Sequence, residues 1–202
     1  MPFRIRRYPH NDLLNLAHYH HQTIEKKRAA GDNDGIALDC TSCLIALAFS
    51  VEALFNFVGS QKVREWDERA HSPEKVATLA KSLNLPLESQ EEPYEAIKIL
   101  RTIRNGLAHG QPHESTADVS SHSELARQMQ APWDPYRNPD TVFALHRQVK
   151  DLQKKLFEAA GIRVGETLTS AIGSTILTHS PKSKSAIESW MQTGKVSDSS
   201  DP

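Results

Sequence analysis

The chain reads as an all-α bundle of about five helices, with a long irregular loop and a polar C-terminal tail. Three observations predict that class. Residues 36–59 are apolar on almost every side of a helical wheel, the pattern of a helix at the centre of a bundle. Residues 93–109 and 140–160 repeat apolar side chains at helical spacing. No internal repeat, coiled-coil heptad or phosphate-binding glycine loop points to another architecture.

The chain has 202 residues, which suits one domain with appendages; we expect a helical domain over 1–160 and a Ser/Thr-rich, partly disordered extension over 161–202. A hydrophobic share of 38% is enough for a core, and a formal net charge of −1 gives no polyelectrolyte signal. Any nucleic-acid contact must therefore come from a local patch. The two cysteines, Cys40 and Cys43, fall three apart in an apolar helical run. They read as buried free thiols in a reducing compartment, because a redox or zinc half-site would need a second ligand pair. The N-terminal Met-Pro-Phe-Arg-Ile-Arg-Arg lacks the apolar core of a signal peptide. The longest apolar run, 43–59, carries Glu52 and Asn56 and is expected to fall short of a membrane span. The expectation is a cytoplasmic protein with no membrane contact.

In chain order, residues 12–30 predict a first helix, capped by Asp12 and ended by Gly31-Asp-Asn-Asp-Gly35. His18, His20 and His21 lie on it. Without an acidic or thiol partner at matching spacing they read as a solvated histidine-rich face, not a metal site. The second helix, 36–59, carries the stripe Leu44, Leu47, Ala48, Val51, Phe55 and Val58, and Gly59 is expected to close it. Residues 61–71 predict a short exposed helix anchored by Trp66. Ser72 and Pro73 read as cap and first-turn proline of a helix to about Leu83. After an acidic connector comes the 93–109 helix, and then residues 110–138, which show no sustained period beyond a short helix at Ser123–Met129. So long a connection is often functional or disordered. Val142, Leu145, Val149, Leu152, Leu156 and Phe157 predict the last helix, ended by Gly161. Thr167–Thr178 has no clear preference, and the tail beyond Ser180 is expected to be disordered apart from a turn of helix near Ala186–Met191.

The anomaly is the stretch Arg101-Thr-Ile-Arg104-Asn105-Gly-Leu-Ala-His109-Gly110. At 100° per residue Arg101, Arg104 and Ala108 share a stripe with Ile97, and Asn105 and His109 stack one turn apart on its flank. Charge on a core-facing stripe is costly unless it is paired or used. Glu52 and Asn56, one turn apart on the central helix, are the matching partners. Either Glu52 and the arginines form a structural clamp between helices, or the clamp also orients a working arginine.

Ser50-Val-Glu52-Ala-Leu-Phe-Asn56 on a long apolar helix, followed downstream by Arg104-Asn105-Gly-Leu-Ala-His109, resembles the HEPN superfamily. Its members are small helical domains, and many are metal-independent ribonucleases with an Arg-x(4–6)-His motif. The match here is Arg104, four intervening residues and His109, with polar Asn105 after the arginine. The resemblance spans roughly 12–160. It implies catalytic roles for Arg104, His109 and Asn105, with Glu52, Asn56 and Arg101 in support, no metal and no cofactor. It also implies RNA as substrate, a homodimer that brings two motifs into one cleft, and an antitoxin or regulatory partner in defence or stress response. Some HEPN toxins continue as His-x-Tyr; Gly110-Gln111 departs from that pattern, which weakens the resemblance to toxins paired with nucleotidyltransferase antitoxins and leaves Arg104 and His109 untouched.

The chemistry stands without the family. RNA can be cleaved by its own 2′-hydroxyl to a 2′,3′-cyclic phosphate, so the protein need supply no nucleophile. Histidine moves protons near neutral pH, and arginine offers a permanently charged fork matched to phosphate oxygens. The alternative is a non-catalytic dimerisation or interaction module, in which Glu52 and Arg104 only clamp and His109 is a helix-terminal histidine favoured by the dipole.

Overall fold

The computed structural model describes residues 3–108, 116, 118, 121–167 and 170–173. Residues Arg7–Thr169 make one compact unit, and among its described residues the regular structure is all helical. Its helices are α1 (Pro9–Ala29), α2 (Ile36–Lys62), α3 (Ser72–Leu83), α4 (Glu95–Ala108), α5 (His122–Gln128) and α6 (Pro139–Ala160). Short 3-10 turns cover Asp134–Tyr136 and Val164–Thr167. The second unit holds two antiparallel strands, β1 (Phe3–Arg6) and β2 (Ser170–Gly173), with Phe3 opposite Gly173 and Arg6 opposite Ser170. Neither strand follows from a local pattern in the sequence. The tail beyond Ser180 lies outside the described residues.

Helix α2 is the axis of the bundle and packs against α1, α3, α4 and α6. Cys43, Leu44, Leu47, Val51, Leu54, Phe55 and Val58 are all buried, as a helix apolar nearly all round requires. On length and composition alone α2 could cross a bilayer, contrary to the expectation that it falls short; here 61% of its most apolar window is packed inside the fold. Cys40 and Cys43 are buried free thiols, and loss of hydration pushes them up to about 11 and about 12. Cys43 Sγ donates to the Ala17 carbonyl at 3.3 Å. That contact and the Lys27–Asp39 ion pair at 2.7 Å lock the α1–α2 hairpin.

Four local expectations are corrected. Helix α1 begins at Pro9, with Tyr8 in the cap position and Asp12 inside the first turn, because proline's fixed φ suits the first helical position. Its histidine face is not simply solvated: His21 is half-buried, 4.4 Å ring to ring from His146 of α6 and 4.6 Å from Phe143. Ser72 is the first residue of α3, and His71 occupies the cap. Finally, α2 runs through Gly59 to Lys62, and residues 63–71 are turns rather than a helix. Gly59 is needed for packing, since a Cβ there would lie 2.2 Å from the Trp66 ring. The sequence shows a glycine at a helix end; what the structure reveals is a seat for an indole.

Candidate functional site

On α4 the buried stripe is Ala96, Ile97, Leu100 and Ile103. That stripe is rotated from the one the charges were assigned to, so Arg101 and Arg104 lie half-buried at its edge while Asn105 and Ala108 are exposed. The expected buried clamp is therefore a half-exposed one. Arg104 Nη2 stands 3.5 Å from Glu52 Oε2, with 27% of the arginine side chain and 36% of the glutamate's exposed. At that distance the contact is electrostatic attraction more than a directed hydrogen bond.

The second cation on Glu52 was not anticipated. Lys75 Nζ lies 3.8 Å from Glu52 Oε1 and donates to the Glu68 carbonyl at 2.6 Å, and only 3% of the lysine side chain is exposed. Glu52 thus ties α2 to both α3 and α4. The signal was present: Lys75 lies one helical turn from Leu79, on the inward side of α3. Arg101 joins Arg104, Glu52 and Ser72 in one small crevice. Two cations, Lys75 and Arg104, thus lie within 4 Å of Glu52, and Arg101 shares the crevice with Arg104. Two arginines side by side at one crevice, in a chain of net charge −1, are the kind of local group an anionic ligand needs.

Asn56 does not pair with the α4 arginines. It lines a different hollow, and its Oδ1 is buried without a hydrogen-bond partner among the described residues. His109 lies outside the described residues. The far end of the long connection does return to α4. Trp133 packs on Gly106, where a Cβ would come within 2.7 Å of the indole. Asp134 organises that return, accepting from the Ala131 amide at 2.9 Å and from Arg137 at 2.9 Å. Gly106 is thus a contact point for the connection, two positions from Arg104, a role the sequence reading did not see. Among the described residues no three of His, Cys, Asp and Glu converge as metal ligands.

The fold and site define an all-α bundle protein with a cation-rich crevice at the edge of its fourth helix. No protein-family model, no curated protein and no solved structure matches the chain.

Proposed function

We propose that this protein is a cytoplasmic, metal-independent endoribonuclease of the HEPN type that acts as a homodimer. The observation that carries the reading is Arg104, held against Glu52 at 3.5 Å yet open to solvent, with Lys75 neutralising the same carboxylate. Lys75 offsets much of the charge of Glu52, so Arg104 keeps its positive charge for a phosphate. In this reading Arg104 takes a non-bridging oxygen of the scissile phosphate, and Arg101, in the same crevice, holds a neighbouring one. Asn105, exposed one residue further, positions the phosphate or the histidine ring. His109 takes the proton from the 2′-hydroxyl, and the histidine of a partner's copy of the motif protonates the departing 5′-oxygen. An antitoxin or regulatory partner would cover the same cleft.

Glu52 joining three helices also suits the module reading, in which the clamp is all there is. Incubation with mixed RNA in EDTA separates the two. The ribonuclease gives fragments ending in 2′,3′-cyclic phosphate. Cleavage that needs added magnesium or manganese excludes this mechanism, and intact RNA favours the module.

A further inference from the structure

Where α1 and α6 pack against each other, the seam between them is polar. Asn11, Asn15 and His18 come from α1, and His146, Lys150 and Gln153 from α6. Each trio repeats after four and then three residues, the spacing of a single helical face. Packed helices ordinarily meet through apolar stripes, yet here Leu14 is the one apolar side chain among the seven. Together they line a hollow of about 260 Å³, just under the range of small-molecule pockets, about 300–1,000 Å³.

Among the described residues this wall holds no carboxylate. The acidic groups nearby act elsewhere: Asp140 pairs with Arg28 at 2.5 Å, and Glu25 acts on His21 without lining the hollow. Lys150 is exposed and has no ion-pair partner among the described residues. Asn11 already donates to the Thr167 carbonyl. The Asn15 and Gln153 amides, the Lys150 ammonium and two imidazoles remain as donors. His146, 5.8 Å ring to ring from His18, is buried, but its ring nitrogens, unlike those of His10, are not closed to water. Burial drives His146 down to about 4, helped by positive charge at His21, Lys150 and His18. The same positive charge that disfavours a proton there favours an anion.

We infer that this hollow binds the phosphate group of a small phosphomonoester. The Lys150 ammonium supplies the opposite charge, and the Asn15 and Gln153 amides and the His146 N–H donate to the phosphate oxygens. A phosphomonoester brings three strong acceptor oxygens and a charge of about −1.5 to −2, which suits several donors on two helices better than a carboxylate does. A hollow of this size takes a short carbon skeleton rather than a coenzyme. It shares no lining residue with the Arg104 crevice, and its occupancy does not depend on RNA cleavage.

Glycerol 3-phosphate and glycerate test it, since they share a carbon skeleton and differ in the anionic group. Calorimetric titration of the full-length protein should show saturable binding of glycerol 3-phosphate, with a Kd of about 1 mM or tighter and about tenfold below that of glycerate. Lys150→Met, at an exposed position, should weaken it about tenfold or more. Lys154→Met should leave it unchanged, because that lysine pairs with Glu158 and does not line the hollow. Gln153→Leu should also weaken binding and serves if Lys150→Met does not fold. Absence of saturable binding, equal affinity for glycerate, no effect of Lys150→Met, or equal losses from Lys150→Met and Lys154→Met would each overturn the inference. An uncleavable 2′-O-methyl RNA that binds through Lys150 more tightly than glycerol 3-phosphate would assign the seam to RNA and overturn it too.

Discussion

Glu52 has two cations within 4 Å, and its own exposure decides what each is worth. Arg104 and Glu52 both reach solvent, so their attraction is screened and of the order of 1 kcal/mol or less. Arg104→Ala should therefore lower stability by no more than about 1 kcal/mol in thermal or urea melts, while abolishing cleavage. Lys75 differs, because its ammonium is sealed and donates to the Glu68 carbonyl at 2.6 Å. Lys75→Ala should cost about 1–3 kcal/mol by the same melts, and a smaller loss than from Arg104→Ala would show that the burial argument is wrong. The sequence made the Glu52–Arg104 pairing legible, since a carboxylate and a guanidinium on two apolar helices have few other partners. It did not reveal that the pair is half-exposed, because which edge of α4 faces outward is set by the rotation of the helix in the bundle. Lys75 was missed for the related reason that a lysine is read as exposed by default.

At the scale of elements, two helices carry a glycine beneath a tryptophan: Gly59 under Trp66 and Gly106 under Trp133. Alanine normally favours a helix over glycine by about 1 kcal/mol. At Gly59 the added methyl would lie 2.2 Å from a half-buried indole packed on the core, so overpacking wins. Gly59→Ala should destabilise by about 1–3 kcal/mol, and in a Trp66→Ala background the same change should stabilise instead. Destabilisation in both backgrounds would remove the indole from the explanation. Helix positions were legible from apolar spacing, as in α2 and α6, where every side chain the stripe named is buried; His146 and Gln148, buried beside them on α6, were not named. Their ends were less so, because Gly59 is used for close approach, not termination, and Pro9 starts α1 before its first acidic residue. The pairing of Phe3–Arg6 with Ser170–Gly173 could not be read locally, since it joins segments from opposite ends of the chain.

For the molecule as a whole, His10 and His146 are buried in the helical unit, and both stay neutral down to about pH 4. Burial is the main cause for each; His21, Lys150 and His18 add positive charge around His146, while Asp12 acts weakly the other way on His10. In the unfolded chain these rings protonate near their ordinary value of 6.5. Between about pH 6.5 and 4 the unfolded state therefore binds more protons, so stability is full above that window and falls on acidification through it. Each ring accounts for up to about 3 kcal/mol across the window. Urea melts at a series of pH values should show the fall, and His146→Phe should flatten it; an unchanged slope would mean that His146 is not protonated on unfolding. A two-histidine site also needs two chains. Light scattering at micromolar concentration should give twice the monomer mass, and a monomer would rule out shared catalysis.

The most direct measurement follows one RNA with three proteins in EDTA: the natural sequence, His109→Ala and Arg104→Ala, each with its melting curve. Ribonuclease action through Arg104 and His109 predicts cyclic-phosphate products from the first protein, none from the two variants, and a His109→Ala melt that overlays the natural one. A His109→Ala protein that cleaves RNA at the natural rate, folded and free of metal, would contradict it.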